Sequence, residues 1–254
     1  MASGQAGSGG IGVTSIIGFS GISVRFGEVT AIASFDQVVT PGEFVALVGP
    51  SGCGKSTVLR LASGLLSPSS GTVDRGTTNI GYVFQDATLM PWRTVRGNVE
   101  LLGELEGLSK GERSARATAI LELVGLTEFA GHYPLALSGG MKMRASLARS
   151  LLLAPDLFLF DEPFGALDQI TRSRLNDELM ALYSTQRFAS VFVTHSVSEA
   201  AFMASRVLVM SPRPGRVIAE FTVPFEYPRA PEVRYEPEFA RLSGDIAESL
   251  QESS

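Results

Sequence analysis

The strongest constraint in this 254-residue sequence is the stretch Gly49-Pro50-Ser51-Gly52-Cys53-Gly54-Lys55-Ser56-Thr57. It follows an apolar run, Phe44-Val45-Ala46-Leu47-Val48, and precedes a helix-like segment from Thr57 to Ser63. Strand, glycine-rich turn and helix in that order satisfy G-x-x-x-x-G-K-[ST] together with the context the motif requires. Glycines let successive backbone N–H groups turn inward around phosphate oxygens, and the helix start adds partial positive charge. The stretch predicts nucleotide binding, with Lys55 reaching the β- and γ-phosphates and the Ser56 hydroxyl ligating Mg²⁺. Without those flanks it would read as a glycine-rich turn bearing an exposed lysine.

A chain of this length buries one substantial core, so one α/β domain with an inserted or appended piece is expected. The net charge of -5 provides no overall basic footprint for nucleic acid. Most of that charge sits in residues 225–254, where seven acidic side chains face three arginines. Cys53, the single cysteine, lies inside the phosphate loop and has no partner for a disulfide, which points to a reducing compartment. No apolar run approaches the roughly 18 residues that span a bilayer. Residues 1–14, rich in Gly, Ser and Ala, lack the charged and apolar regions of a secretory signal and read as a flexible arm. Any membrane role must then come through a partner.

Between Ser15 and Ser34, short β-rich runs separated by Gly18, Gly21 and Gly27 read as antiparallel strands. Phe26, beside Gly27, is placed to stack on a purine ring, although by itself an aromatic at a strand end more often belongs to a core. Ser67-Pro68-Ser69-Ser70-Gly71 reads as a loop. The strand Ile80-Gly81-Tyr82-Val83-Phe84 ends in Gln85, at the carboxyl edge where ligands of an open α/β sheet gather; Gln85 there would touch Mg²⁺ or an attacking water, or be a surface glutamine. Leu89-Met90-Pro91-Trp92 is either an exposed docking patch or a loop folded over a local core.

From Thr94 to about Thr127 the apolar period is helical, with Val95, Val99, Leu102 and Leu105 on one face and Ala117, Ile120, Leu121 and Val124 on another. This predicts an inserted helical subdomain over about 90–155, its charges at Lys110, Glu112, Arg113 and Arg116 forming a solvated face. Ser138-Gly139-Gly140 opens the next helix, either as a second anion-binding set of free N–H groups or as a simple N-cap.

Leu157-Phe158-Leu159-Phe160 is wholly apolar and ends in Asp161-Glu162. Paired acids at the end of a buried strand are costly unless something compensates them. Beside a metal-bound phosphate, Asp161 would serve the Mg²⁺ and Glu162 would polarise a water for attack on the γ-phosphoryl group. A further apolar strand, Ser190 to Thr194, delivers His195 to the same kind of edge, and Ser196 with Glu199 forms a capping box for the next helix. Two final strands, Arg206–Met210 and Arg216–Phe221, precede an acidic, proline-spaced tail over 225–254 with no visible chemistry.

Taken together these segments resemble the ATP-binding subunits of ABC transporters over roughly Ile16 to Phe221. Gly49 to Thr57 matches the family's Walker A motif and Leu157 to Glu162 its Walker B motif with the catalytic glutamate. Gln85 matches the Q-loop, Leu137 to Met141 the signature, Asp168 the D-loop, His195 the H-loop, and Phe26 the adenine-stacking aromatic. The resemblance implies a P-loop NTPase core over 15–224, with an N-terminal antiparallel β subdomain and the helical insertion, binding ATP and Mg²⁺. It also implies a head-to-tail pair, identical or not, in which Ser138, Gly139 and Gly140 of one subunit close over the ATP of the other. His195 would hold the γ-phosphate and water.

By the same resemblance, Gln85 and the Met90-Pro91-Trp92 loop would meet an integral permease at the cytoplasmic face of the membrane, with a solute-binding protein involved indirectly. The signature continues as Met141-Lys142-Met143-Arg144 rather than with the usual glutamine. With Asp161 to Asp168 and the later Ser211-Pro212-Arg213-Pro214-Gly215-Arg216, it is similar to importers of nitrate, sulfonates, taurine or thiamine-pyrimidine precursors. The competing classes are ABC-type ATPases of DNA repair or translation. The first would need long coiled coils between phosphate loop and signature, where only about 80 residues without sustained heptads lie. The second would need two ATPase domains in one chain.

Overall fold

The runs Phe44–Val48, Leu157–Asp161, Ala189–Val193 and Arg206–Met210 are apolar at nearly every position, the pattern of strands covered on both faces. In the computed structural model, which describes residues 15–252, they form the centre of a nine-stranded sheet. In chain order the elements are β1 (Ile17–Phe26), β2 (Val29–Val39), β3 (Phe44–Val48), α1 (Lys55–Ala62), β4 (Ser70–Arg75) and β5 (Ile80–Val83). The helices α2 (Val95–Val99), α3 (Leu101–Leu105), α4 (Lys110–Leu123) and α5 (Gly139–Leu151) follow. The chain then runs through β6 (Leu157–Asp161), α6 (Gln169–Gln186), β7 (Ala189–Val193), α7 (Val197–Met203), β8 (Arg206–Met210), β9 (Gly215–Thr222) and α8 (Pro237–Gln251).

The strand order is β4-β1-β2-β9-β8-β3-β7-β6-β5. Strands β8, β3, β7, β6 and β5 are all parallel, so their carboxyl ends share one edge. Strict alternation divides their side chains between two cores. Phe44, Ala46, Val48, Phe158, Phe160 and Phe192 face α5, α6 and the helical insertion. Val45, Leu47, Leu157, Leu159, Val191 and Val193 face α1 and the β1–β2 layer. An odd-numbered register slip would exchange the two sets, so the pairing is strongly specified.

Several sequence expectations change here. Gly18 does not interrupt β1, which runs as one strand with register shifts around Gly21, so three short runs become two strands. Ser70 and Gly71 open β4 rather than closing a loop; this edge strand is mostly exposed and pairs only with β1. The helical run after Thr94 is divided at Glu100 into two short helices, and Leu105 is exposed rather than on the buried face. Arg113 is partly buried against Leu108 and Glu100 instead of lying on a solvated face. The arm at 1–14 lies outside the described residues.

The acidic segment after Pro224 is not a loose tail. Its helix α8 turns Phe239, Leu242, Ile246 and Leu250 onto the first core, with Phe239 and Ile246 buried. Arg229 is buried beneath it and donates from Nη1 to the carbonyls of Ala201, Phe202 and Ala204, the unpaired acceptors at the end of α7. Arg234 lies over the Phe202 ring at 3.4 Å and pairs with Asp177 at 2.8 Å. The acidic residues form its solvent face, which explains why composition alone read as tail. Among the described residues no helix is long and apolar enough to cross a membrane.

Candidate functional site

The loop after β3 is shaped by glycines whose replacement would not fit. A Cβ on Gly49 would stand 2.9 Å from Cys53 Sγ and 3.0 Å from the Met210 carbonyl oxygen. Gly54, at φ 108°, immediately precedes α1 in a conformation L side chains avoid. The Lys55 ammonium donates across the loop to the carbonyls of Gly49 (2.8 Å) and Pro50 (3.0 Å). Cys53 is fully buried, in keeping with a turn-filling role rather than a thiol chemistry.

Four strand ends meet at this loop. Ser56 Oγ donates to Asp161 Oδ1 at 2.8 Å, and Tyr82 Oη donates to Asp161 Oδ2 at 3.4 Å. Burial pushes the Asp161 carboxyl above its ordinary value, the hydrogen bonds from Ser56 and Tyr82 pull it back, and the neighbouring Glu162 adds to the rise. Burial likewise pushes the Tyr82 phenol up, with Asp161 adding to it. Glu162 sits in the left-handed region at φ 48°, which costs a non-glycine residue about 1 kcal/mol. Its backbone is held there from both sides: its N–H donates to the Val193 carbonyl and its own carbonyl accepts from Gly165. The strained turn aims the carboxylate at His195, whose Nδ1 is 3.2 Å from Glu162 Oε2.

Ser51, Gly52, Gly54, Lys55, Ser56, Thr57, Phe26 and Glu162 line one cleft of about 410 Å³. Phe26 is half-exposed at its rim, so of its two readings the structure favours the accessible ring over the core one. Arg213 also lines this cleft, its Nε and Nη2 donating to the Gly52 carbonyl at 3.2 and 3.1 Å. Sequence reasoning gave no role to Arg213 or Tyr82. The signal for Arg213 was its place just after β8, a fifth strand ending on the shared edge.

Not every expected residue reaches the cleft. Gln85 is exposed, follows the end of β5 by two residues, and does not line the cleft at Lys55. Ser138 accepts from the Met141 N–H at 3.3 Å, the N-cap geometry, and Asp168 caps α6 by accepting from the Thr171 N–H at 3.0 Å. That bond holds the Asp168 carboxyl below its ordinary value. A Cβ on Gly139 would lie 3.2 Å from Leu167 and one on Gly140 3.0 Å from Thr171, so signature and D-loop form one neighbourhood apart from Lys55. The 89–92 loop is divided: Leu89 packs on the core while Trp92 is 72 % exposed. Asn98, fully buried, pins the loop through bonds to Met90, Arg93 and Thr94.

A model of the ABC transporter family matches residues 33–165. The chain belongs to that family. It is 44% identical over 215 residues to the taurine import ATP-binding protein of Rhizobium johnstonii, covering 80% of this chain and 82% of the relative. It is 42% identical over 238 residues to the nitrate import ATP-binding protein of a Synechocystis species, covering 89% and 90%. A solved dimeric cassette of a bacterial ABC transporter superposes with TM-score 0.73 at 31% identity, over 83% of this chain and all of that one. The ABC ATPase therefore binds ATP and hydrolyses it, and the DNA-repair and translation alternatives are not favoured.

Proposed function

We propose that this ABC ATPase powers solute uptake through an integral permease, as one half of a head-to-tail pair. The observation that carries the pairing is the separation of the two helix starts. The cleft at Lys55 offers one side of a nucleotide site, while Ser138 and Gly139, exposed, and Gly140, buried against Thr171, open a second helix on another surface beside the Asp168 turn. A second copy turned to face the first brings each exposed signature onto the other's triphosphate, with ATP sandwiched between.

Within that site Phe26 stacks on adenine and the loop from Gly49 to Thr57, including Pro50, Ser51, Gly52, Cys53, Gly54 and Lys55, cradles the phosphates. Ser56 Oγ and Asp161 Oδ1, already neighbours, suit a hard cation. Mg²⁺ needs only one or two protein oxygens when phosphate and water complete its shell, so the absence of a three-residue ligand cluster among the described residues is no obstacle. Bound there, Mg²⁺ would neutralise charge on the phosphate oxygens. Glu162 polarises the attacking water, and His195, hydrogen-bonded to it, holds water and γ-phosphate in line. Gln85 acts from its neighbouring strand end once the pair closes.

The catalytic domain spans 15–224, with the helical part at about 90–155, and the segment from 225 onward braces it. The cargo is a small oxyanion or related solute of the kind handled by the nitrate and taurine import relatives. A solute-binding protein delivers it, and the subunit works peripherally at the inner membrane. Reconstituting the chain with an importer permease in proteoliposomes tests this. ATP-dependent accumulation of nitrate or taurine is the expected result, and ATP hydrolysis that no permease stimulates would refute it.

A further inference from the structure

The capping box expected at Ser196 is only half formed. Ser196 Oγ accepts from the Glu199 N–H at 3.3 Å, but the Glu199 carboxylate does not return to the Ser196 N–H. That N–H donates instead to Thr194 Oγ1 at 3.0 Å, and the Thr194 hydroxyl donates to Glu199 Oε2 at 2.5 Å. Both residues flanking His195 are thereby tied to a carboxylate that is almost fully buried.

The other oxygen of Glu199 faces Arg172 Nε at 3.6 Å, without a hydrogen bond. Arg172 lies in the first turn of α6, and its Nη2 donates to the carbonyls of Gly165 (3.2 Å) and Leu167 (2.9 Å). Gly165 in turn donates its N–H to the Glu162 carbonyl at 3.1 Å. A Cβ at Gly165 would stand 3.5 Å from Glu162 Oε2 and 3.6 Å from His195 Cε1, so this turn packs directly against the catalytic pair. The contacts close a ring: Glu162, Gly165, Arg172, Glu199, Thr194, His195 and back to Glu162.

We propose that Arg172 is a positioning residue for hydrolysis, which holds Glu162 and His195 in working alignment by tying the turn after β6 to the turn after β7 through Glu199. The proposal rests on the reading of Glu162 and His195 as the catalytic pair. Pairing a buried carboxylate with a partly buried guanidinium is a poor way to gain stability, since apolar residues of similar volume do as well or better. Arginine spreads its donors over separate nitrogens, Nη2 for the two carbonyls and Nε towards the carboxylate, whereas lysine gathers its three on one atom and cannot reach both ends. Arg172 also touches the Asp168 turn, through the Leu167 carbonyl and its own N–H to the Asp168 carbonyl, so a second subunit pressing on that turn reaches the pair through Arg172.

The test uses the full chain with Mg-ATP. Arg172→Lys and Glu199→Gln are each expected to lower kcat about tenfold, the scale of a modest misalignment. KM for ATP stays within about twofold, and the thermal midpoint stays within about 3 °C, because neither substitution opens a cavity. Glu199→Gln keeps the acceptor for Thr194 and so guards against loss of folding. The decisive readout is the His195→Ala background, in single-turnover measurements: there Arg172→Lys costs only about twofold to threefold, because one of the two residues it aligns is gone and only the Gly165 link to Glu162 is left. A full tenfold loss in that background, or an unchanged kcat in both single variants, overturns the proposal. Glu162→Gln is run alongside. If it hydrolyses normally, the catalytic pair itself is wrong and the proposal falls with it; if only the Arg172 and Glu199 variants are normal, the pair stands and the ring does not.

Discussion

Ile246→Ala measures whether the acidic C-terminal segment is part of the folded unit. Ile246 is fully buried in α8, packed on the core that also holds Phe239 and Phe202. The substitution removes three carbons, worth about 2.4 kcal/mol at about 0.8 kcal/mol per buried methylene. A residual cavity raises this to about 3–4 kcal/mol, since the flanking helix is fixed by Arg229 and Arg234 and collapses little. For a chain of this size that lowers the thermal midpoint by about 10 °C. Urea unfolding followed by circular dichroism gives the free energy, and Tyr235→Ala, at a site 87 % exposed, is the control expected to change stability by less than about 0.5 kcal/mol. A loss below about 1 kcal/mol, or α8 melting in its own early step while the remaining transition keeps its midpoint, would show that the helix is an appendage and the reasoning wrong.

Asp161→Asn is expected to stabilise the protein in EDTA while abolishing Mg-dependent hydrolysis. Burial raises the Asp161 carboxyl, so the folded state holds this proton more tightly than the unfolded one. Stability therefore falls as pH rises from the ordinary carboxylate value through the raised one, and Asn removes that loss. The midpoint gain should appear at pH 7.5 and vanish near pH 3.5; a variant less stable at pH 7.5 contradicts it. Arg213→Ala should raise KM for ATP roughly fivefold with little change in kcat, as befits one charged donor at the rim of the cleft. An unchanged KM would reduce Arg213 to a brace for Gly52. Trp92→Ala should leave basal hydrolysis intact and lower permease-stimulated hydrolysis several-fold, because the side chain is exposed on a loop pinned by Asn98. Equal stimulation of both proteins removes the loop from coupling.

The central strands and the phosphate loop were legible because their signals are local. A run such as Phe44–Val48 must be covered on both faces, and Ser51 to Ser56 carries its ligand chemistry in consecutive backbone N–H groups. Strand β4 was not legible: Ser70-Gly71-Thr72-Val73-Asp74-Arg75 has neither alternation nor apolar content, and only its pairing with β1 makes it a strand. Helix α8 was hidden by its own solvent face, since composition counts the acids and not the spacing of Phe239, Leu242, Ile246 and Leu250.

The sequence alone determined that this chain binds a nucleotide's phosphates on an α/β sheet and that acids and a histidine end its buried strands. Tertiary structure alone decided which of those groups touch. Asp161 reaches Ser56 across 105 positions of chain and Glu162 finds His195 across 33, while Gln85 stays outside the cleft and Glu199 abandons its cap for Arg172. Backbone chemistry repeats along neighbouring residues and so can be read in a line. Side-chain pairing depends on distances that only the register and packing of the sheet create.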